Sequence, residues 1–393
     1  LDAWQNTRPG AEAQELVAQA RRELYKGQCN CPYWHGLFGG IYLNYLRHAV
    51  YEHLIRAEKI IAASCHGAEP WIDYRLADFK RDLSLDILIS GKNLNVYFSP
   101  RDGGGLFELD FKPCSFNLSN IFTRKMEGYH RKLKIANGFP GSHHENEQPV
   151  SIHSISKVKE EGLQSHLIYD WYQRFSFIDH FLGESTTLEA FATSRYTEIG
   201  DFINAPYVLQ KIEKDPEAPA VYFSLSRSGC VLEDRSQFPV AIEKSFCVND
   251  SLMEIGSAYC VKNKSDRNLM VWFGVEFNIT LIAGNDPLRY YVFPGDPKLK
   301  LLMNATEAIS RVAAFDIKDA WNGFGLQLSM TPGADVWTFP IQTVSQSEDG
   351  LEKTYQGSTV LVHWKMPLVR NKEQKRAIKL RLYTFPGEKE KKE

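Results

Sequence analysis

The hydrophobic period of this chain changes once, near Asp82, and that change limits the fold more than any other feature. Before it, apolar residues recur at helical spacing. Ala11 to Gly27 carries Leu16, Val17, Ala20 and Leu24 on one face, with Gly27 as its stop. Tyr42, Leu46, Ala49, Val50, His53, Leu54, Ala57 and Ile61 keep the same period to about Ser64, with Glu52 and Arg56 paired one turn apart on the wet side. After Asp82 the period is two. Leu85–Ile89, Asn95–Phe98 and Leu106–Phe111 alternate as strands, separated by Gly91-Lys92-Asn93 and the Gly-rich turn Arg101–Gly105. Phe116–Arg124 reads as a short helical turn, and Asn137–Ser151, with paired His143 and His144, as a solvated loop.

From Trp171 onward nearly everything is strand. Arg195–Ile199, Tyr207–Ile212, Ala220–Ser226, Val240–Val248, Glu254–Lys262, Asn268–Leu281, Phe324–Met330, Asp335–Thr343, Thr359–Lys365 and Arg376–Thr384 alternate or are rich in β-branched and aromatic residues. Many strands joined by hairpin-length connections build a large antiparallel sandwich. The expected architecture is a helical domain over 1–82 and a large antiparallel β-sandwich over 83–393, with the boundary between 66 and 83, around Gly67 and Pro70.

Composition excludes several function classes. A net charge of −2 gives no nucleic-acid footprint and no membrane-surface patch. No run approaches the roughly 18 apolar residues of a membrane span. Seven cysteines, odd in number and widely scattered, read as reduced thiols of a cytoplasmic protein. Cys29 and Cys31 followed by His35 form half a metal site, but no second Cys/His pair stands at zinc spacing, so neither metal nor cofactor is expected. The chain opens on Leu1-Asp2-Ala3-Trp4, neither an initiator Met nor a signal peptide, and reads as a fragment or processed product.

Between the helical patterns lies Gln28-Cys29-Asn30-Cys31-Pro32-Tyr33-Trp34-His35-Gly36-Leu37-Phe38-Gly39-Gly40. Core helices do not carry three glycines in five residues, and solvated loops are rarely so aromatic. Such a loop suits sugar recognition: a flat ring stacks on a pyranose while His or Asn bonds its hydroxyls. Secondary sugar-binding candidates are Glu276 and Asn278, two apart on one strand face, with Gln346 and Trp337. Each has a plain alternative. Glu276 and Asn278 can simply bridge strands, Trp and Phe on strands are mostly core, and the Asp170 and Arg174 pair is ordinarily structural. A further reading makes Glu276 the base of a sugar mutarotation, for which the sequence places no His partner.

The run from Gln28 to Leu43, continuing through Leu46-Arg47-His48-Ala49-Val50-Tyr51, resembles the last sequence region of glycoside hydrolase family 57, in its 4-α-glucanotransferase/α-amylase branch. Phe116-Asn117-Leu118, Tyr129-His130, Tyr169-Asp170, Arg174, Asp179-His180-Phe181, Gly274–Asn278 and Thr343–Glu348 resemble the C-terminal domain of that branch. The resemblance implies a galactose-mutarotase-like sandwich and places the catalytic carboxylates in an N-terminal barrel, so no residue here is assigned a catalytic role. A retaining glycosidase needs two carboxylates about 5–5.5 Å apart; by resemblance both belong to the barrel, and the chain alone is expected to be inactive. Asn30, Tyr33, Trp34, His35, Phe38 and Gly39 become the expected substrate-binding set, Trp34 stacking on glucose and His35 bonding its hydroxyls. The expected partners are an α-glucan or maltooligosaccharide and the barrel domain. A homodimer is compatible with the sequence and not specified by it. Cys31 stands where relatives often carry an acidic residue. The alternative to an enzyme portion is a non-catalytic carbohydrate-binding or structural module.

Overall fold

A computed structural model describes residues 11–35, 39–131, 162–294, 300–347 and 350–389. Two helices form where the period is 3.6: α1 (Ala11–Gly27) and α2 (Asn44–His66). They pair as a hairpin, with Glu23 of α1 2.7 Å from His53 of α2. The expected pair Glu52 and Arg56 forms at 2.5 Å.

Alternation then yields two antiparallel sheets. The first is a five-stranded meander: β1 (Ile72–Ala77), β2 (Asp86–Gly91), β3 (Leu94–Ser99), β4 (Gly105–Phe111) and β5 (Phe116–Asn117). The second has twelve strands: β6 (Ile178–Phe181), β7 (Val208–Lys214), β8 (Ala220–Glu233), β9 (Ser236–Asn249), β10 (Glu254–Asn263), β11 (Leu269–Ile279), β12 (Arg289–Val292), β13 (Lys300–Leu302), β14 (Glu307–Asp319), β15 (Phe324–Ser347), β16 (Gly350–Leu368) and β17 (Glu373–Thr384). Apolar side chains from both sheets meet in one core. Phe98 of the small sheet lies 5.0 Å from Phe223 and 4.7 Å from Phe246 of the large one, ring centre to ring centre.

One strand changes partner along its length. Residues Phe324–Thr331 of β15 pair with β17, and Asp335–Ser347 pair with β16. The change falls at Pro332, which has no N–H to give a ladder. Thus the expected strands Phe324–Met330 and Asp335–Thr343 are two halves of one element. β14, flanking both halves, escaped the sequence reading because its register shifts between Ile309 and Val312 and again before Ala314, which breaks the period of two.

Other expectations are corrected. Phe116–Arg124 is not a helical turn: Phe116 and Asn117 pair with β4. Arg195–Ile199 is not a strand and contributes one bridge, Leu182 with Glu198. The boundary segment 66–83 contains β1. A short helix, α3 (Leu188–Ala192), breaks the all-strand run, capped by Thr187, whose side chain accepts from Ala190 N–H at 3.2 Å. The loop with His143 and His144 lies outside the described residues.

The helical hairpin is bolted to the sandwich by polar side chains. Asn44 donates to Thr280 Oγ1 at 2.7 Å and to the Gln356 carbonyl at 3.0 Å. Buried Arg47 donates to Gln356 Oε1 at 2.7 Å, to Asn120 Oδ1 at 2.9 Å and to the Ile41 carbonyl. Gln356 in turn donates to the Tyr42 carbonyl and to Thr343 Oγ1, both at 2.9 Å. A buried acceptor that loses its donor keeps its whole desolvation penalty. Arg47→Ala should therefore lower the unfolding free energy by about 3 kcal/mol. The check is urea unfolding followed by fluorescence; an unchanged midpoint would show the clasp to be idle.

Candidate functional site

The aromatic loop leaves α1 at Gly27 and turns at once. Residues Cys31–Tyr33 form a single 3₁₀ turn with buried Pro32 at its start, where a missing N–H costs nothing. Tyr33 donates its hydroxyl to the Gly27 carbonyl at 2.6 Å, which ties the turn to the helix end. The loop closes where Ile41 N–H donates to the Trp34 carbonyl at 3.0 Å. Gly40 makes that closure. It has φ +46°, and a Cβ there would stand 2.2 Å from the Trp34 oxygen, so no other residue fits without moving the loop.

This backbone displays Trp34 to solvent, 52% exposed, with Tyr33 at 54%. His35 turns inward. Its ring stacks on Tyr129 at 5.2 Å and 25°, and meets Tyr42 edge-on at 5.3 Å. The His35 Nε2 atom is buried and has no protein partner. Asn30 is exposed and starts the 3₁₀ turn without a side-chain cap. Gly39 has φ +86°, and a Cβ there would stand 3.0 Å from Leu43 Cγ. Phe38 lies outside the described residues. Of the expected loop set, Trp34, Tyr33 and Asn30 are exposed, whereas the unpartnered His35 nitrogen is buried.

The secondary set is placed differently. Trp337 is 8% exposed and packs against Trp272, His363 and Phe191 of α3, so it offers no sugar platform. Glu276 and Asn278 are also buried, at the centre of a charged network. Arg174 donates to Glu276 Oε1 at 2.9 Å, as does Asn278 at 2.6 Å. Tyr172 donates to Oε2 at 2.5 Å, and His180 Nε2 lies 3.0 Å from it. The other His180 nitrogen lies 3.1 Å from Glu198, and Asp170 joins Arg174 to Arg124 at 2.6 Å each. Gln346 alone of the four is half-exposed.

Sequence reasoning missed the His partner of Glu276. The pairing of β6 with β11 sets Gly274 opposite His180, which makes Glu276 a diagonal neighbour on the same face. The cluster Asp179-His180-Phe181 was the available signal. With four partners, Glu276 is nonetheless a poor base. Burial pushes its pKa up, but Arg174 and His180 outweigh that and hold it at about 2. Burial pushes His180 down, while its hydrogen bonds to Glu198 and Glu276 carry it up to about 9.

Comparison with known proteins identifies the family. The family model described as alpha-amylase/4-alpha-glucanotransferase, C-terminal, matches residues 78–378, and the model for the middle domain of the same enzymes matches residues 4–61. The chain belongs to the alpha-amylase/4-alpha-glucanotransferase family. This is the glycoside hydrolase family 57 branch that its loop resembles. It is 34% identical to alpha-amylase 1 of Dictyoglomus thermophilum over 359 residues, which cover 90% of this chain and 48% of the relative. It is 30% identical to the 4-alpha-glucanotransferase of Thermococcus kodakarensis over 349 residues, 88% of this chain and 45% of the relative. The crystal structure of 4-alpha-glucanotransferase from Thermococcus litoralis superposes with a TM-score of 0.72 at 27% identity, over 95% of this chain and 50% of the other. The chain thus spans about half the length of the curated relatives it matches. Within the alpha-amylase/4-alpha-glucanotransferase family it corresponds to the middle and C-terminal parts, the loop falling in the first and the charged network in the second.

The network makes stability depend on pH with a definite sign. Glu276, held below its ordinary 4.5, contributes fully above that value and loses its contribution as pH falls through about 2. His180, raised above its ordinary 6.5, contributes fully below 6.5 and loses its contribution as pH rises through about 9. Urea unfolding at pH 6 and pH 9.5 should show a fall in stability for the wild type and a smaller fall for His180→Gln. Equal slopes in the two proteins would mean that His180 does not titrate in this range.

Proposed function

We propose that this chain is the substrate-gripping and supporting portion of a retaining enzyme that acts on α-1,4-glucans, of α-amylase or 4-α-glucanotransferase type. The observation that carries the proposal is Trp34: a half-exposed indole on a loop whose backbone is closed by Gly40 and whose neighbour His35 keeps a buried nitrogen unpartnered. An exposed aromatic face suits a pyranose, which has one apolar face and a rim of hydroxyls. The relatives' names, alpha-amylase and 4-alpha-glucanotransferase, supply the glucan. Maltooligosaccharides are the soluble form of that ligand. Asn30 and Tyr33 stand next to Trp34 as further contacts.

The chemistry is assigned to the half of the relatives that this chain does not cover. Retaining hydrolysis needs a carboxylate free to attack and a second free to protonate. In the sandwich, Glu276 and Asp170 are fully engaged by arginines and hydrogen-bond donors. The sandwich acts as the support that holds the loop against the cleft. Among the described residues no helix is long and apolar enough to cross a membrane.

Two measurements test the reading. The isolated chain should show no turnover of maltoheptaose; robust turnover would sink the assignment. In the full-length enzyme, Trp34→Ala should lower kcat/KM on maltoheptaose about tenfold, equivalent to about 1.4 kcal/mol, the upper range for an aromatic stack. An unchanged kcat/KM would take the loop out of the substrate site.

A further inference from the structure

Tyr129 comes from the sandwich part of the chain, yet its ring lies face to face with His35 of the loop. Its hydroxyl is fixed at both ends. It donates to the Val344 carbonyl of β15 at 3.4 Å and accepts from the backbone N–H of Gln346. Its ring packs on the small apolar cluster of Leu163, Val344 and Leu351, which joins β15 to β16. The segment around it is braced independently. Tyr42, which closes the other side of the His35 ring, donates its hydroxyl to Glu127. His130 Nε2 sits 2.8 Å from the same Val344 carbonyl, and Glu127 N–H donates to His130 Nδ1 at 3.1 Å.

The imidazole of His35 therefore has one stacked and one edge-on neighbour, and turning it would lose both contacts. Among the described residues, the ring contacts of His35 are to Tyr129 and Tyr42. We propose that Tyr129 is a positioning residue: by stacking on His35 it anchors the loop that carries the exposed Trp34, and it makes the β15–β16 hairpin a support of the substrate site. The inference rests on the reading that the Trp34 and His35 loop contacts glucan. Tyr129 itself touches no substrate. Gln346, expected from sequence as a sugar ligand, then serves through its main chain.

A double-mutant cycle in the full-length enzyme tests this, with kcat and KM on maltoheptaose and the thermal midpoint measured for each variant. Tyr129→Leu should lower kcat/KM about five- to tenfold, mostly through KM, while Tyr129→Phe, which keeps the ring, should stay within about twofold. In a His35→Ala background, Tyr129→Leu should change kcat/KM less than about twofold, because the ring it stacks on is gone. A merely structural Tyr129 would lower activity equally in both backgrounds, and that result overturns the proposal. So does full activity of Tyr129→Leu with His35 present. If His35→Ala alone leaves kcat/KM unchanged, the premise about the loop has failed, and that outcome is distinct from a failure of Tyr129. Should Tyr129→Leu not fold, Tyr129→Met takes its place in the same cycle.

Discussion

The guanidinium of Arg47 is the tie on which the rest of the arrangement depends. It reaches the end of the aromatic loop at Ile41, the segment after β5 at Asn120, and β16 at Gln356, all from one helix. Helix, loop and sandwich are separate products of local sequence pattern. Apolar contacts between them are non-directional, and Arg47, with Asn44 and Gln356, supplies directed polar ones. A buried arginine with several acceptors fixes an orientation as well as a distance, because its donors form a rigid fork. Burial lowers its pKa only to about 10, so the charge persists at neutral pH.

The second buried cation plays a different part. Arg174 lies between Asp170 and Glu276, and with Arg124, His180 and Glu198 the carboxylates and cations balance. Such a set is stable only while every member is present, since removing one leaves an uncompensated charge in the interior. It sits on the large sheet, beneath the segment that carries α3. A carboxylate with four partners is held for packing, not offered to a sugar. The loop, with its half-exposed indole, has the opposite character.

Much of the fold is legible in the sequence, because alternation and helical period report burial directly. β2, β3, β4, β10 and β11 stand close to where Leu85–Phe111 and Glu254–Leu281 place them. Two of the exceptions share a cause. β14 carries register shifts, and β15 bends past Pro332, so neither keeps an unbroken period. The candidate site is legible where it is local. Three glycines, Trp34 and His35 lie within a few residues, and their composition alone marks an unusual loop. It is not legible where it depends on sheet register. His180 and Glu276 are far apart in the chain and adjacent in space, and Trp337 looks like a surface aromatic until Phe191 is laid over it. Likewise nothing near Tyr129 announces His35.

The closure at Gly40 has a thermodynamic meaning for ligand binding. The backbone tied by the Ile41 N–H to the Trp34 carbonyl and by Tyr33 to the Gly27 carbonyl gives up conformational freedom when the chain folds. The ordering entropy is then part of the folding equilibrium and not of the association step, where each immobilised side chain would otherwise cost about 0.5–1.5 kcal/mol. On the proposed function, a glucan that stacks on Trp34 would meet a turn already formed. Variants that loosen the turn should therefore weaken binding without removing a single contact made in the bound state.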